Sequence, residues 1–198
     1  SRWGKVASAV TTTQLINDFN VDEIIFTGVA GGIIEELNIG DIVIGNNMYQ
    51  HDLNASPFYE KLEIPILKKK FLKTTDASKL KEATQLFLDT YYNYIKVNDA
   101  ELFSITNPKV IFGDIASGDQ FISSLKKIKK INKLIPSATC VEMEGAAVAQ
   151  VCFEYEMPFS IIRIISDNAN DNATIDFPKF ANSIASIYAL GILKNYFA

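Results

Sequence analysis

The sequence is poor in histidine and cysteine, and this scarcity argues against several kinds of site. Its one histidine is His51, and its two cysteines, Cys140 and Cys152, lie in apolar surroundings without the paired spacing of a metal or redox motif. We therefore expect reduced, buried thiols and no metal. Because no serine or cysteine stands in a nucleophile-elbow motif, His51 is interpreted as structural or as acting through another residue.

The chain also lacks an excess of positive charge and a long hydrophobic run. Its formal net charge of -4 gives no general attraction to nucleic acid or to an anionic membrane surface. No stretch is long and apolar enough to span a bilayer. We expect a cytoplasmic protein that binds a small neutral or zwitterionic molecule, with no nucleic acid and no membrane partner.

Hydrophobic residues, by contrast, are plentiful: they make up 48% of the 198 residues, enough for the core of one domain. Strand and helix patterns alternate without a repeat or a linker, which predicts a single domain over residues 1–198 with an α/β architecture and a mostly parallel or mixed sheet. Predicted helices cover 7–19, 77–92, 146–151 and 178–196, and predicted strands cover 22–27, 41–45, 109–116 and 158–165.

Acidic residues gather in the two segments that look most like a site. In an extended chain Glu142 and Glu144 share one face, so both carboxylates would line one surface. The apolar run 158–165 predicts a buried strand whose carboxyl end, where such sheets bind ligands, delivers Ser166 and Asp167. Two alternatives stay open: a solvated edge strand for the glutamates, and an N-cap of a following turn for Asp167.

Three other patterns have ordinary interpretations beside functional ones. Residues 28–32 are glycine-rich but lack dinucleotide or phosphate-loop spacing, so a tight turn with positive φ and a ligand cradle both fit. The lysines within 126–133 predict a solvated helix face. Phe121 and Ile122 follow a predicted strand end, where they either line a pocket for a flat ring or fill the core.

Six segments occur in the order of one known family. They are 4–7, 27–32, 40–43, 117–122, Val141-Glu142-Met143-Glu144-Gly145-Ala146-Ala147 and Arg163-Ile164-Ile165-Ser166-Asp167. On these segments the chain resembles, over essentially its whole length, the bacterial 5'-methylthioadenosine/S-adenosylhomocysteine nucleosidases of the nucleoside phosphorylase superfamily. The resemblance implies a three-layer αβα-type fold with a central mixed, partly barrel-like sheet.

The resemblance also implies a reaction and the residues that perform it. The reaction is hydrolysis of the N-glycosidic bond of both nucleosides, which releases adenine and a thioribose product without a metal or an organic cofactor. Asp167, oriented by Ser166, would be the general acid at N7 of adenine, and Glu144 would hold the ribose hydroxyls. The other implied residues are Glu142 and Arg163 near the attacking water, Met143 against the sugar, Phe121 and Phe177 stacked on the base, Ile122 at the base, and Ala30 and Gly31 among the substrate-binding residues.

The resemblance further implies a homodimer that acts in methionine salvage, with Trp3, Phe58 and Pro65 reaching the partner's pocket. The chain departs from the family at Arg2 and Trp3, where relatives tend to have glycine and a small aliphatic residue. We therefore expect a changed region around the 5' substituent. The family's first strand, which supplies the glutamate thought to activate water, has no counterpart here, so an N-terminal segment is expected to be missing.

Two other functions remain open. A purine nucleoside phosphorylase needs cationic groups for phosphate, but an arginine and a serine found in the bacterial hexameric type are replaced by Phe26 and Val29. This difference favours water as the nucleophile. A catalytically inactive, ligand-binding relative is the second alternative, and the missing N-terminal glutamate is its main support.

Overall fold

A computed structural model describes residues 1–170 and 173–198. The strands are β1 (Ile24–Gly32), β2 (Ile42–Gln50), β3 (Leu72–Lys73), β4 (Val110–Ser117), β5 (Ala138–Glu142) and β6 (Phe159–Asp167). The helices are α1 (Lys5–Phe19), α2 (Ser78–Asp89), α3 (Val97–Leu102), α4 (Leu125–Leu134), α5 (Gly145–Glu154), α6 (Ala173–Phe180) and α7 (Ser186–Tyr196). A 3-10 turn covers Tyr91–Asn93, and a π-helical segment, Ala181–Ala185, joins α6 to α7. The predicted α/β class is confirmed.

The strands form one mixed sheet that closes on itself. Their order is β3-β2-β4-β5-β1-β6, and β2 also pairs with β6, so five strands make a barrel and β3 extends it at one side. The β1–β6, β2–β4 and β4–β5 pairs are parallel, whereas β1–β5 and β2–β6 are antiparallel. The mixed, partly barrel-like sheet is thus confirmed.

Helices cover the barrel in two groups, α2 with α7 and α1 with α5. Strand β6 lies between two apolar clusters: Ile162 and Ile164 belong to the cluster with α2 and α7, and Ile161 and Ile165 belong to the cluster with α5. Every residue of β6 is buried. Burial on both faces explains why the strand reads as a continuous apolar run rather than an alternating one.

One predicted element is wrong. Residues 28–32 do not form a turn with positive φ but are the second half of β1, paired with β6 from Ile24 onward. The glycines serve close packing instead: a β-carbon at Gly28 would lie 2.9 Å from Nη1 of Arg163. Two other predictions are confirmed, since the lysines of α4 are exposed and both cysteines are free and buried.

Burial raises the pKa of the Cys140 and Cys152 thiols to about 12, which keeps both protonated and unreactive at neutral pH. Within the described ranges, every helix falls short of the length or apolarity needed to cross a bilayer.

Candidate active site

A cavity of about 240 Å³ gathers residues that are far apart in the sequence. Its lining includes Arg2 and Trp3 before α1, Ala30 and Gly31 of β1, Phe121 and Ile122 after β4, Glu142, Met143 and Glu144 at the end of β5, Arg163, Ser166 and Asp167 of β6, and Phe177 of α6. Phe58 and Pro65 lie outside this lining. The carboxyl end of β6 therefore meets the predicted acidic and aromatic residues at one place.

Asp167 ends β6 with its side chain in the cavity wall and only 3% of its surface exposed. The Ser166 hydroxyl donates a hydrogen bond to Oδ2 over 2.8 Å, and the Ala169 amide donates one to Oδ1 over 2.8 Å. The carboxyl thus caps the turn that follows and also faces the cavity, so the two interpretations of Asp167 do not exclude each other. Ser166 and Ala169 fix its orientation from two sides.

Gly31 makes room for this carboxyl. A β-carbon at Gly31 would lie 2.9 Å from Oδ1 of Asp167 and 2.9 Å from the β-carbon of Ala169. The pairing of β1 with β6 also shifts register between Ala30 and Gly31, as at a bulge, which re-aims the strand end. The glycine-rich segment therefore contributes to the site because the absence of side chains leaves space for the Asp167 carboxyl.

Glu142 and Arg163 form a buried ion pair in the cavity wall. Nη2 of Arg163 donates to Oε2 of Glu142 over 2.6 Å, and Nε donates to the same oxygen over 3.2 Å. The Ser117 hydroxyl and the Gly145 amide also donate to this carboxylate. Burial alone would raise the pKa of Glu142, but Arg163 and these donors outweigh burial and hold the pKa below its usual range. The interpretation of a solvated edge strand is therefore wrong.

Glu144 lies just beyond β5 and has a different environment. Its Oε1 accepts a hydrogen bond from the Gly4 amide over 2.8 Å. Burial raises the pKa of Glu144, and the Glu142 carboxylate adds to the rise, while the Gly4 amide opposes it. The two glutamates thus line one cavity, as predicted, but folding favours ionisation of Glu142 and disfavours ionisation of Glu144.

An aromatic wall completes the cavity. Phe177 makes edge contacts with Phe121 and Trp3, at ring-centroid distances of 5.7 and 5.5 Å. Ile122 is buried and packs with Val141, so it fills the core and lines the cavity at once. Aromatic faces beside carboxyl groups can hold a flat heterocycle and hydrogen-bond its polar edge.

Comparison with known proteins identifies the family. A model of the phosphorylase superfamily matches residues 1–198. The 5'-methylthioadenosine/S-adenosylhomocysteine nucleosidase of Staphylococcus epidermidis is 39% identical over 183 residues, which are 92% of this chain and 72% of that protein. The chain belongs to the 5'-methylthioadenosine/S-adenosylhomocysteine nucleosidase family of this superfamily.

Solved structures of the nucleosidase family share the fold. The Colwellia psychrerythraea nucleosidase in complex with adenine has a TM-score of 0.81 and 30% identity, covering 99% of this chain and 76% of that chain. The Neisseria meningitidis nucleosidase in complex with methylthio-immucillin-A has a TM-score of 0.79 and 33% identity, covering 100% and 78%. The resemblance drawn from the sequence motifs is confirmed.

Sequence reasoning missed how α1 is fastened to the nucleosidase site. The Lys5 amide donates to Oδ1 of Asp119 over 2.8 Å, and Nζ of Lys5 pairs with Asp52 at 2.6 Å. Asp52 in turn accepts from the Asp119 amide over 2.9 Å. These bonds hold the start of α1 against the loop that carries Phe121. No local sequence pattern predicts these bonds, because the partners are separated by up to 114 residues.

Three predicted residues lie away from the reacting groups. His51 packs on Gly118, where a β-carbon would lie 2.4 Å from Nε2, and burial lowers the pKa of its imidazole. Its position outside the cavity lining supports a structural role. Phe58 is 88% exposed, and Pro65 lies in the same irregular segment. That these two residues and Trp3 reach a partner's pocket stays a prediction, although Trp3 also lines the cavity of its own chain.

Within residues 1–170 and 173–198, no group of three or more histidine, cysteine, aspartate or glutamate residues is arranged to hold a metal ion. The chemical means of the site are a buried carboxyl, a second carboxylate, an ion pair and aromatic surfaces.

Proposed function

We propose that the chain is a single nucleosidase domain that hydrolyses the N-glycosidic bond of 5'-methylthioadenosine and S-adenosylhomocysteine, releasing adenine and the thioribose product. The observation that carries this proposal is the buried Asp167 carboxyl, oriented by Ser166 beside an aromatic wall. Relatives that bear the nucleosidase name at 39% identity support it. The chemistry needs no metal and no organic cofactor.

Asp167 is the general acid in this proposal. Its proton passes to N7 of adenine while the bond from C1' to N9 breaks, so the electron pair of that bond leaves with a neutral base. Water then adds to C1' and its proton is released to solvent, from which the Asp167 carboxylate is protonated again. Ser166 holds the carboxyl in the direction required, and protonation of the leaving group typically contributes 10²- to 10⁴-fold to such a rate.

The other carboxylates act on the sugar. Glu144 accepts hydrogen bonds from the ribose hydroxyls, Met143 packs on the sugar, and their anionic surroundings favour the positive charge that develops at C1'. Glu142 and Arg163 lie near the attacking water. The base stacks on Phe121 and Phe177 and borders Ile122, Ala30 and Gly31, all of which line the cavity.

Adenine release tests this function directly. The protein is incubated with 5'-methylthioadenosine, with and without inorganic phosphate, and the products are separated by mass. Hydrolysis predicts free adenine and thioribose at a rate independent of phosphate. A phosphate-dependent rate with a sugar 1-phosphate as product would establish the phosphorylase instead, and binding without turnover would establish the inactive relative.

The geometry favours water over phosphate. Arg163, the cation nearest the proposed water, pairs with Glu142 and packs over Phe26, with its Cζ 4.4 Å from the ring centroid. Its charge is therefore already compensated, and Phe26 and Val29 supply no further donor side chain for a phosphate.

We also propose a cytoplasmic homodimer that serves methionine salvage. Val6 and Val10, one turn apart on α1, and Phe58 are exposed apolar side chains, and their removal from water between two copies supports an interface. Trp3, Phe58 and Pro65 would then contribute to the partner's pocket. A chelator leaves adenine release unchanged if, as proposed, no metal takes part.

A further inference from the structure

Arg2 is a cation in the cavity wall that the proposed reaction does not use. The other lining arginine, Arg163, pairs with Glu142. No carboxylate pairs with Arg2 in the part of the chain that the structure describes. Its guanidinium is therefore available to an anion that enters the cavity.

The position of Arg2 indicates which part of a ligand it meets. The Gly4 amide is held on Oε1 of Glu144, and Trp3 touches the edge of Phe177. Arg2 is two residues from Gly4, at most about 7 Å of extended backbone, and the Gly4 amide is itself 2.8 Å from the carboxylate assigned to the ribose. With the base at Asp167 and the ribose at Glu144, the wall formed by residues 1–3 remains for the group carried on C5' of the ribose.

The carboxylates in the cavity wall determine whether an anionic ligand group needs this cation. Glu142 and Glu144 line the cavity beside Asp167, which carries a proton in the proposed reaction, and Arg163 pairs with Glu142 alone. An anionic ligand group would be repelled at close range by these carboxylates unless a second cation offset them. Arg2, which lines the same cavity, supplies that cation.

We propose that Arg2 binds a carboxylate on the 5' substituent, so that the protein favours nucleosides whose thio substituent ends in an amino acid over those with a neutral alkylthio group. This inference rests on the proposed function, which sets the orientation of the nucleoside. Trp3 and Phe177 cover the apolar methylenes beside the sulfur, and the planar guanidinium takes the carboxylate through two parallel hydrogen bonds.

The test compares kcat/KM for S-adenosylhomocysteine and for 5'-methylthioadenosine in the parent, Arg2→Gln and Arg2→Lys. The matched control is Lys130→Gln, which removes one positive charge from the exposed face of α4. The ratio of the two values falls by about three- to tenfold in Arg2→Gln. Arg2→Lys restores part of the ratio, and Lys130→Gln leaves it at the parent value. Added salt lowers the ratio in the parent more than in Arg2→Gln.

An unchanged ratio in Arg2→Gln, or an equal fall in the control, overturns the assignment of Arg2. Calorimetric binding of both nucleosides separates this failure from that of the proposed function. If the parent binds but does not release adenine, hydrolysis is wrong, and tail recognition is decided by the ratio of the two Kd values. If the parent binds neither nucleoside, both proposals fall. Inorganic phosphate that accelerates the parent but not Arg2→Gln would make Arg2 a phosphate ligand and refute the carboxylate.

Discussion

The proposed general acid, Asp167, can be replaced by a side chain of the same shape that cannot donate the proton. In Asp167→Asn the amide oxygen still accepts from the Ala169 amide, so the fold persists. We expect kcat for adenine release to fall by roughly 10²- to 10⁴-fold, because the acid is gone. Asp18→Asn, the same change on the exposed surface of α1, serves as the control. Parent-like turnover in Asp167→Asn would reject this residue as the acid.

Glu144 illustrates a conflict between stability and function. Its pKa is higher in the folded than in the unfolded state, so the group favours folding below the unfolded pKa and opposes it once pH rises above the folded pKa. Glu144→Gln removes this opposition at pH 7. We expect Tm to rise and turnover to fall by about 10²-fold, because the amide oxygen on Gly4 leaves an N–H group toward the ribose.

Calorimetry at pH 7 and the adenine assay measure the two effects separately. Glu142→Gln is the contrasting variant, and its Tm should fall because Arg163 loses its partner. A lower Tm in Glu144→Gln would contradict the assigned direction of the pKa shift.

At this scale the sequence predicts side chains better than backbone contacts. Asp167 is recognisable because it is an acid at the end of a predicted strand, and Glu144 because it lies with Glu142 in an extended segment with apolar neighbours. The Gly4 amide on Glu144 joins residues 140 positions apart through a main-chain group, which leaves no trace in residue type.

Strand β1 depends on two neighbouring glycines to different degrees. An added β-carbon at Gly31 meets Asp167 and Ala169 at 2.9 Å, whereas at Gly32 the nearest atom is Cγ2 of Ile165 at 3.3 Å. We expect Gly31→Ala to cost about 1–3 kcal/mol of unfolding free energy and to lower kcat, because the acid must move. Gly32→Ala is the matched control, with a smaller loss in urea unfolding. Equal losses would show that crowding of Asp167 is not the cause.

The ion pair between β5 and β6 governs how stability responds to acid. Because the pKa of Glu142 is lower in the folded state, the pair stabilises fully above the ordinary glutamate pKa of about 4.3 and loses its contribution as pH falls through the folded value. Arg163→Met leaves the buried Glu142 carboxylate without its partner. We expect this variant to lose about 3–5 kcal/mol of unfolding free energy at pH 7.

Urea unfolding across this pH range measures the effect of the pair. The double variant Glu142→Gln/Arg163→Met should recover part of the loss, because neither charge is then left alone. If the double variant is as unstable as the sum of the single ones, the coupling is absent.

Elements follow the sequence where local preference and tertiary packing agree. Strand β6 is predicted because burial on both faces selects a run of isoleucines. The second half of β1 is missed because glycine is disfavoured in strands, and only the nearby Arg163 and Asp167 explain it. Helix α6 begins at Ala173 rather than at 178, and Pro178 lies in its interior. The sequence predicts a later start because proline is normally disfavoured inside a helix.

The whole molecule should sediment as a dimer of its 22.0 kDa chain. Val10 on α1 is 62% exposed beside other exposed apolar side chains, and association would remove them from water. We expect Val10→Glu to shift the sedimentation coefficient to that of a monomer. Gln14→Glu places the same charge at an exposed polar position of the same helix and should remain dimeric. A parent that sediments as a monomer would refute the assembly.

Closure of the barrel has a consequence for how the protein is made. Ile42, Val43 and Ile44 of β2 reach their second neighbour only when Ile162, Arg163 and Ile164 of β6 arrive. A ribosome adding about 5–20 residues per second needs on the order of ten seconds to cover that interval. Until then, the backbone amides and carbonyls on that edge of β2 lack their native hydrogen-bond partners. A chaperone that binds the nascent chain at the ribosomal exit tunnel would therefore matter most during this interval.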